Sequence, residues 1–506
     1  MLKKIRIALA VIFWLGITLL LLDFTGALHS YLGWMARIQL LPGILALNLG
    51  TVAALAFLTL LFGRIYCSVI CPLGVFQDGI SHIGTRRSKA PYKYRKQIKW
   101  LRYGVLVLFV GLMVAGTGAV ALLIAPYSAY GRIAQNLFQP LYIWGNNALA
   151  WVTEKMGTYA FYPREVWIRS IPTFIIAALT LAAIVALSFK GGRTYCNSIC
   201  PVGTALGFLS RLAAFRPVID ADKCRHCKAC EHMCKAHCIH IGKEEESIDY
   251  SRCVDCFNCI DSCKFGALKY RFAWKKRPVE ETSAGVFART GSRSDTEAEV
   301  SSAGRRAVII GTAIMAGTLA GKSALARKKT DGGLADILPK QAPQRDVPLT
   351  PPGSKSVKHF YQHCTACQLC VAQCPGGVLR PSADLEHLMQ PEMSYEKGWC
   401  KTGCTRCSEL CPAGAITRIT PQEKTAYHIG TAHCNADMCI SASRGVSCGK
   451  CASECPSGAI LMVDDGNGRL RPAVAEELCT GCGACEQYCP VRPVSAITVN
   501  GREEHV

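Results

Sequence analysis

The chain has 506 residues, 30 cysteines, 50% hydrophobic residues and a formal net charge of +21. That length exceeds one domain, so many cysteines in so long a chain exclude a small disulfide scaffold, and the hydrophobic content excludes a disordered chain. Apolar blocks fill the first 190 residues and cysteine clusters fill the rest. No recognisable nucleic-acid module accompanies the basic excess, which reads as positive-inside charge, with no nucleic-acid partner.

Four apolar stretches, about Ile5–Leu22, Leu41–Phe62, Leu101–Ile124 and Ile171–Phe189, have the length of membrane spans. The first follows Lys3, Lys4 and Arg6 without a small-residue cleavage site, so it reads as an anchor rather than a signal peptide. Arg64, Arg86, Arg87, Lys89, Lys93, Arg95, Lys96 and Lys99 lie between the second and third stretches. Lys190, Arg193, Arg211 and Arg216 follow the fourth, which places these loops and the N-terminus on the cytoplasmic side. The aromatic segment Asn136–Trp151 reads as interfacial.

The membrane half is a repeat. Gly63-Arg-Ile-Tyr-Cys67-Ser-Val-Ile-Cys71-Pro72-Leu-Gly74 recurs as Gly192-Arg-Thr-Tyr-Cys196-Asn-Ser-Ile-Cys200-Pro201-Val-Gly203. Each copy follows an apolar stretch, so both deliver a Cys-x3-Cys-Pro to the same side, near the repeat interface where functional elements gather. Small residues packing at helix ends explain the glycines but not two identically spaced cysteine pairs. Cys67, Cys71, Cys196 and Cys200 are therefore candidates for holding a cluster or forming a quinol-site motif. Of 12 histidines, only His29 and His82 precede residue 226, and neither lies inside an apolar stretch, which argues against membrane haem b.

Six four-cysteine sets follow. Cys-x2-Cys-x2-Cys-x3-Cys supplies three thiolates to one iron–sulfur cube and the fourth to its neighbour. Cys224, Cys227, Cys230 and Cys234 fit it, as do Cys253, Cys256, Cys259 and Cys263. The pairing expected is Cys224, Cys227 and Cys230 with Cys263, and Cys253, Cys256 and Cys259 with Cys234. Lys235 and Lys264 replace the proline usual after the last cysteine, which alters the turn but not the ligand count. Further on come Cys364, Cys367, Cys370 and Cys374, then Cys400, Cys404, Cys407 and Cys411 with one extra residue in the first gap. A third set is Cys448, Cys451 and Cys455, with Cys439 (or Cys434) as the remaining ligand and Cys439 favoured as the nearer. Cys479, Cys482, Cys485 and Cys489 complete the series. A lone Cys-x2-Cys would suit zinc, but six consecutive sets ending in x3-Cys argue for [4Fe–4S] centres: six, with a seventh if the membrane quartet holds one. How the last four sets exchange ligands stays open. Cys238 reads as a plain buried thiol, and His226, His232, His237 and His240 as surface residues. Gly266-Ala-Leu, Gly414-Ala-Ile and Gly458-Ala-Ile read as turns into short strands.

Residues 273–304 are polar and read as a flexible linker. Residues 305–326 combine Arg305-Arg306, a mild apolar run and Ala324-Leu-Ala326, similar to an internal twin-arginine export signal. Export would carry the last module across already folded; an interfacial helix would leave it cytoplasmic. The expected fold class is an α-helical transmembrane domain with four main spans (1–215), an α+β ferredoxin-like two-cluster module (216–272) and a four-cluster polyferredoxin module (327–506).

Residues 1–270, with two Cys-x3-Cys-Pro motifs and a two-cluster ferredoxin, resemble NapH-type membrane ferredoxin proteins. Residues 305–500, with Leu349-Thr-Pro-Pro-Gly353 ahead of their first motif, resemble the NapG-type four-cluster ferredoxin. The resemblance implies two fused subunits of a quinol dehydrogenase in the bacterial inner membrane. It implies residues 216–272 in the cytoplasm, the quinone pool as substrate source, and a reductase, cytochrome or ferredoxin as redox partner. Two other readings share the motifs: a maturation factor that reduces metal for a respiratory enzyme, and electron input from ferredoxin to quinone. No nucleotide-binding glycine motif is present.

Overall fold

The computed structural model of the protein describes residues 1–88, 92–159, 161–166, 169–242, 246–273, 338–466 and 468–505. The polar linker and the twin-arginine segment fall outside them. In chain order the helices of the first half are α1 (Leu2–Leu22), α2 (His29–Arg37), α3 (Leu40–Leu45), α4 (Leu49–Phe62), α5 (Ile65–Val69), α6 (Pro72–Ser88) and α7 (Lys99–Val114). They continue with α8 (Gly118–Ala121), α9 (Pro126–Ile133), α10 (Gln139–Lys155), α11 (Ile171–Gly191), α12 (Thr194–Ser198) and α13 (Pro201–Leu209).

Among the described residues two helices, α1 and α11, are long and apolar enough to cross a membrane, rather than the four expected. At 21 residues each they measure about 30 Å. The other two stretches break for local reasons. Leu41–Phe62 is divided because Leu47 adopts a left-handed backbone (φ 51°) and Asn48 caps a new helix, its side chain accepting from Thr51 N. Leu101–Ile124 is divided at Gly116, with φ 82°, where only glycine is unstrained. α6 packs along α11, α1 against α2, α5 and α6, and α13 against α4 and α7. Ile12 of α1, Val107 and Leu108 of α7, and Leu179 of α11 face outward, exposed.

Two strand pairs build residues 215–273: β1 (Phe215–Ile219) with β4 (Leu268–Phe272), and β2 (Ile239–Ile241) with β3 (Glu246–Ile248), all antiparallel. The C-terminal module has β5 (Leu379–Pro381) with β6 (Pro391–Met393), β7 (Gly430–Cys434) with β10 (Ile497–Gly501), and β8 (Ile460–Asp464) with β9 (Leu470–Val474). Its second half thus repeats the first module's plan of an outer pair around an inner hairpin. Gly266 and Gly458, both at positive φ, do lead into β4 and β8; Gly414 leads into irregular chain instead of the strand expected.

The two ferredoxin modules dock on opposite ends of the long helices. At the start of α1, Lys3 pairs with Asp261 at 3.2 Å; near its end, Gln373 Nε2 donates to Leu20 O at 3.2 Å. At the C-terminal end of α11, Arg193 N donates to Lys235 O at 2.9 Å. Just before its N-terminus, Arg169 Nη1 donates to Val371 O. His237, expected at the surface, is instead buried and bonds Gly191 O at 3.0 Å and Lys93 O at 2.7 Å.

Residues 501–505, where Ser356 bridges Glu504, lead to a buried histidine whose protonation can be tested. His505 is buried, its Nε2 3.2 Å from Thr350 Oγ1, and burial lowers its pKa from 6.5 to about 4. A pKa depressed on folding gives stability that is full above the ordinary histidine value and is lost as pH falls toward the folded one. The loss is at most about 3 kcal/mol. Amide protection in Ile497–His505 should fall between pH 6.5 and 4 and should lose that slope in His505→Gln. Unchanged wild-type protection over this range would refute the assignment.

Candidate functional site

Both copies of the repeated motif fold alike. Gly63 and Gly192, at φ 75° and 59°, end α4 and α11 and turn the chain into the short helices α5 and α12, which carry Cys67 and Cys196. Cys71 and Cys200 stand immediately before Pro72 and Pro201, the first residues of α6 and α13. All four cysteines are buried, 3–4% exposed, and lie within electrostatic reach of one another. Gly203 N donates to Cys200 Sγ at 3.3 Å, and Gln77 Nε2 to Cys196 Sγ at 3.4 Å.

The arginine of each motif serves the other copy. Arg64 Nη2 donates to Cys196 O at 3.3 Å and lies 3.7 Å from Cys67 Sγ. Arg193 Nη1 donates to Cys67 O at 2.6 Å and lies 3.9 Å from Cys196 Sγ. This crossing explains the last glycine of each motif. A Cβ on Gly74 would strike Cys67 O and the Arg193 guanidinium; one on Gly203 would strike Cys196 O and the Arg64 guanidinium.

Asp78 of α6 ties the site to the first ferredoxin module. It pairs with Arg193 at 2.6 Å, Arg6 at 3.0 Å and Lys235 at 2.6 Å. Lys235, read from sequence as a mere change of turn after Cys234, is a buried docking cation. Asn197 Nδ2 adds a bond to Ala236 O at 3.1 Å. On the opposite side, the fully buried helix α9 separates this quartet from the C-terminal module. Tyr195 OH bonds Ile124 O just before α9, while Gly131 rests on Cys367.

The remaining cysteines form six further sets. Cys224, Cys227, Cys230 and Cys263 line one small cavity; Cys234, Cys253, Cys256 and Cys259 line another, which Cys238 also touches. Cys238 Sγ is 3.4 Å from Cys234 Sγ, a thiol beside a set rather than remote from one. In the C-terminal module Cys364, Cys367 and Cys370 neighbour Cys411. Cys400, Cys404 and Cys407 neighbour Cys374, and Cys479, Cys482 and Cys485 neighbour Cys455. Cys448, Cys451 and Cys489 line a cavity with both Cys439 and Cys434. Fourth cysteines are thus exchanged between adjacent sets throughout.

Several cations near these thiols carry no motif signature. Lys424 Nζ lies 3.2 Å from Cys400 Sγ and donates to Cys404 O at 2.7 Å. Burial pushes the Cys400 thiol up to about 11, with Lys424 pulling against it. Lys340 donates to Gln487 O and Cys489 O beside another set. Burial also pushes up Cys259, Cys370 and Cys485, whereas the neighbouring Cys238 pulls Cys234 down to about 6; metal binding takes the proton from each thiol it ligates.

The residues fit iron–sulfur centres. Arg64 is fully buried, its Nε lacks a partner, and no carboxylate among the described residues hydrogen-bonds its guanidinium. The buried Asp255 lies within electrostatic reach of Arg64 without bonding its guanidinium; a buried cation with no directly bonded anion is costly, and four thiolates around a metal cluster would add negative charge beside it. None of the sets closes around a single metal ion among the described residues; a cube of irons holds its ligands further apart than one ion does.

Comparison with known proteins agrees with this chemistry. A family model for a 4Fe-4S binding domain matches residues 45–91 and 173–218, the two copies of the repeat, and one for a 4Fe-4S dicluster domain matches residues 444–492. The ferredoxin-type protein NapF of Escherichia coli is 29% identical over 29% of this chain and 84% of its own length. NapH of Haemophilus influenzae is 24% identical over 46% of this chain and 69% of its own. An uncharacterised protein of Methanocaldococcus jannaschii is 24% identical over 54% of this chain and 97% of its own. No solved structure matches. With the cysteine quartets, these similarities support placing the chain among NapH-like ferredoxin-type proteins, with an iron–sulfur electron-transfer function.

Proposed function

We propose that the protein spans the bacterial inner membrane and oxidises quinol, carrying the electrons between a cytoplasmic two-cluster module and a four-cluster module on the opposite face, the counterpart of a fused NapG-type subunit. One observation carries the reading: α1 and α11 each have one module at either end, and the quartet Cys67, Cys71, Cys196 and Cys200 is buried between the modules. The outward apolar faces of α1, α7 and α11 suit a lipid environment.

Iron–sulfur centres held by the seven quartets would supply one-electron transfer. The chain's own residues fix their places. Asp78, Lys235 and Asn197 join the Cys234 loop to the second copy of the motif. α9, with Ser128 bonded to Thr365 O, holds the Cys367 loop against the other side. Arg64 and Arg193 place positive charge at the central quartet, which favours extra negative charge there. The protein, purified without oxygen in lipid nanodiscs, should contain about 28 irons, seven sets of four, and develop reduced-cluster EPR signals on adding menaquinol. Full iron with no response to menaquinol, but reduction by dithionite, would overturn quinol oxidation and leave the ferredoxin-fed or maturation readings.

A further inference from the structure

Seven quartets leave two of the 30 cysteines over, Cys238 and one of Cys434 and Cys439. Neither is remote from a set. Cys434 and Cys439 hydrogen-bond each other and line one cavity with Cys448, Cys451 and Cys489. Cys238 is 2% exposed, lies 3.4 Å, sulfur to sulfur, from Cys234, and also hydrogen-bonds Cys253. Its backbone N–H donates to Cys234 Sγ at 3.5 Å. Both donors of this one residue thus converge on a ligand sulfur, and its side chain reaches a second ligand of the same quartet.

The chain holds this contact in place. Residues 235–237, which join the two thiols, are each fastened to the helical half. Lys235 pairs with Asp78 at 2.6 Å and accepts at its O from Arg193 N at 2.9 Å. Ala236 O accepts from Asn197 Nδ2 at 3.1 Å, and His237 bonds Gly191 O at 3.0 Å. β2 starts directly after Cys238, whose O accepts from Asp249 N at 2.8 Å. Pro217, Ile239, Ile248 and Val254 supply apolar walls that keep water from the thiol. When Cys234 and Cys253 hold a cluster, their sulfurs carry no proton and can only accept. A third negative sulfur beside them would be repelled, so Cys238 keeps its proton and donates. A hydrogen bond strengthens as its acceptor gains charge, above all in dry surroundings, so this one is stronger in the reduced state than in the oxidised.

We propose that Cys238 is a fifth functional sulfur of this site: it binds no iron, but its S–H donates to a ligand sulfur, Cys234 or Cys253, and raises the reduction potential of the centre they hold. This rests on the iron–sulfur reading of the set and not on quinol. Hydrogen bonds to the sulfurs are among the factors that set cluster potentials. The donor stands where the module meets the helical half, so it favours an electron on the centre docked there rather than on the set of Cys224, Cys227, Cys230 and Cys263.

The test is an EPR-monitored redox titration of the full chain in nanodiscs, with this centre identified as the signal that Cys259→Ala removes. Cys238→Ala and Cys238→Val should each shift its equilibrium at least tenfold toward the oxidised form, about 59 mV for one electron, at wild-type iron content. Cys238→Ser restores a donor and should titrate close to wild type. A thiol that merely fills space gives the reverse order, because a hydroxyl suits an apolar wall worse than valine does. Unchanged midpoints in the alanine and valine variants, or a shift in serine as large as in alanine, overturn the donor role. Loss of about four irons from Cys238→Ala overturns it too, since the residue is then a ligand. Wild type alone serves if the variants fold poorly. Its infrared S–H stretch, which only thiols without iron produce, should move to lower frequency on reduction, and an unmoved band overturns the assignment. A wild type with no signal for Cys259→Ala to remove overturns the cluster reading of this set instead.

Discussion

Asp78→Asn is expected to destabilise the N-terminal helical half by about 3–5 kcal/mol, the cost of removing one partner from a buried ion pair. Asp78 is the shared counter-ion of Arg6, Arg193 and Lys235, three cations that are all buried. Asparagine keeps the shape and some hydrogen bonding but removes the charge. The variant should melt well below wild type in detergent and expose the Cys234 loop to proteolysis, because Lys235 is then left in a buried site without its anion. Adding Lys235→Gln should recover part of the loss, since contacting residues couple in a double-mutant cycle. Equal melting of wild type and Asp78→Asn would show that the three cations have another counter-charge.

Cys200→Ser is expected to remove four irons per chain, leaving about 24, with the ferredoxin-module signals retained. A serine hydroxyl is a far weaker iron ligand than a thiolate, because it stays protonated at neutral pH. The substitution also leaves Arg64 and Arg193 facing an uncharged cavity, so it should lower stability as well as iron content. The Arg64→Gln variant separates these effects: it keeps the thiols, removes one buried cation and should shift the central quartet's reduction potential downward in an EPR-monitored titration. Full iron in Cys200→Ser would assign this quartet a structural role.

The cysteine spacings made the grouping of the thiols legible, because each short-spaced run brings its cysteines together on one tight loop. The repeat was legible too, since two copies of Gly-Arg-x-Tyr-Cys stand out by eye. What their arginines do was not: pattern shows that a residue recurs, but not that it reaches into the other copy. Lys235 was noticed only as a missing proline, for its partner Asp78 lies far away in the chain. The spans at Leu41–Phe62 and Leu101–Ile124 were over-read because hydropathy averages across Asn48 and Gly116, single residues that end a helix through a cap or a backbone angle.

The crossed arginines also impose an order on synthesis. A ribosome that has made the first hundred residues has already made Arg64, but Asn197, Cys196 and Ser251, which bind its guanidinium, do not yet exist. Until they are made only water can serve that guanidinium, so the first copy cannot bury it and cannot complete its packing alone. Chains stalled between the two copies should be degraded, whereas separately expressed halves can be rescued only by one another.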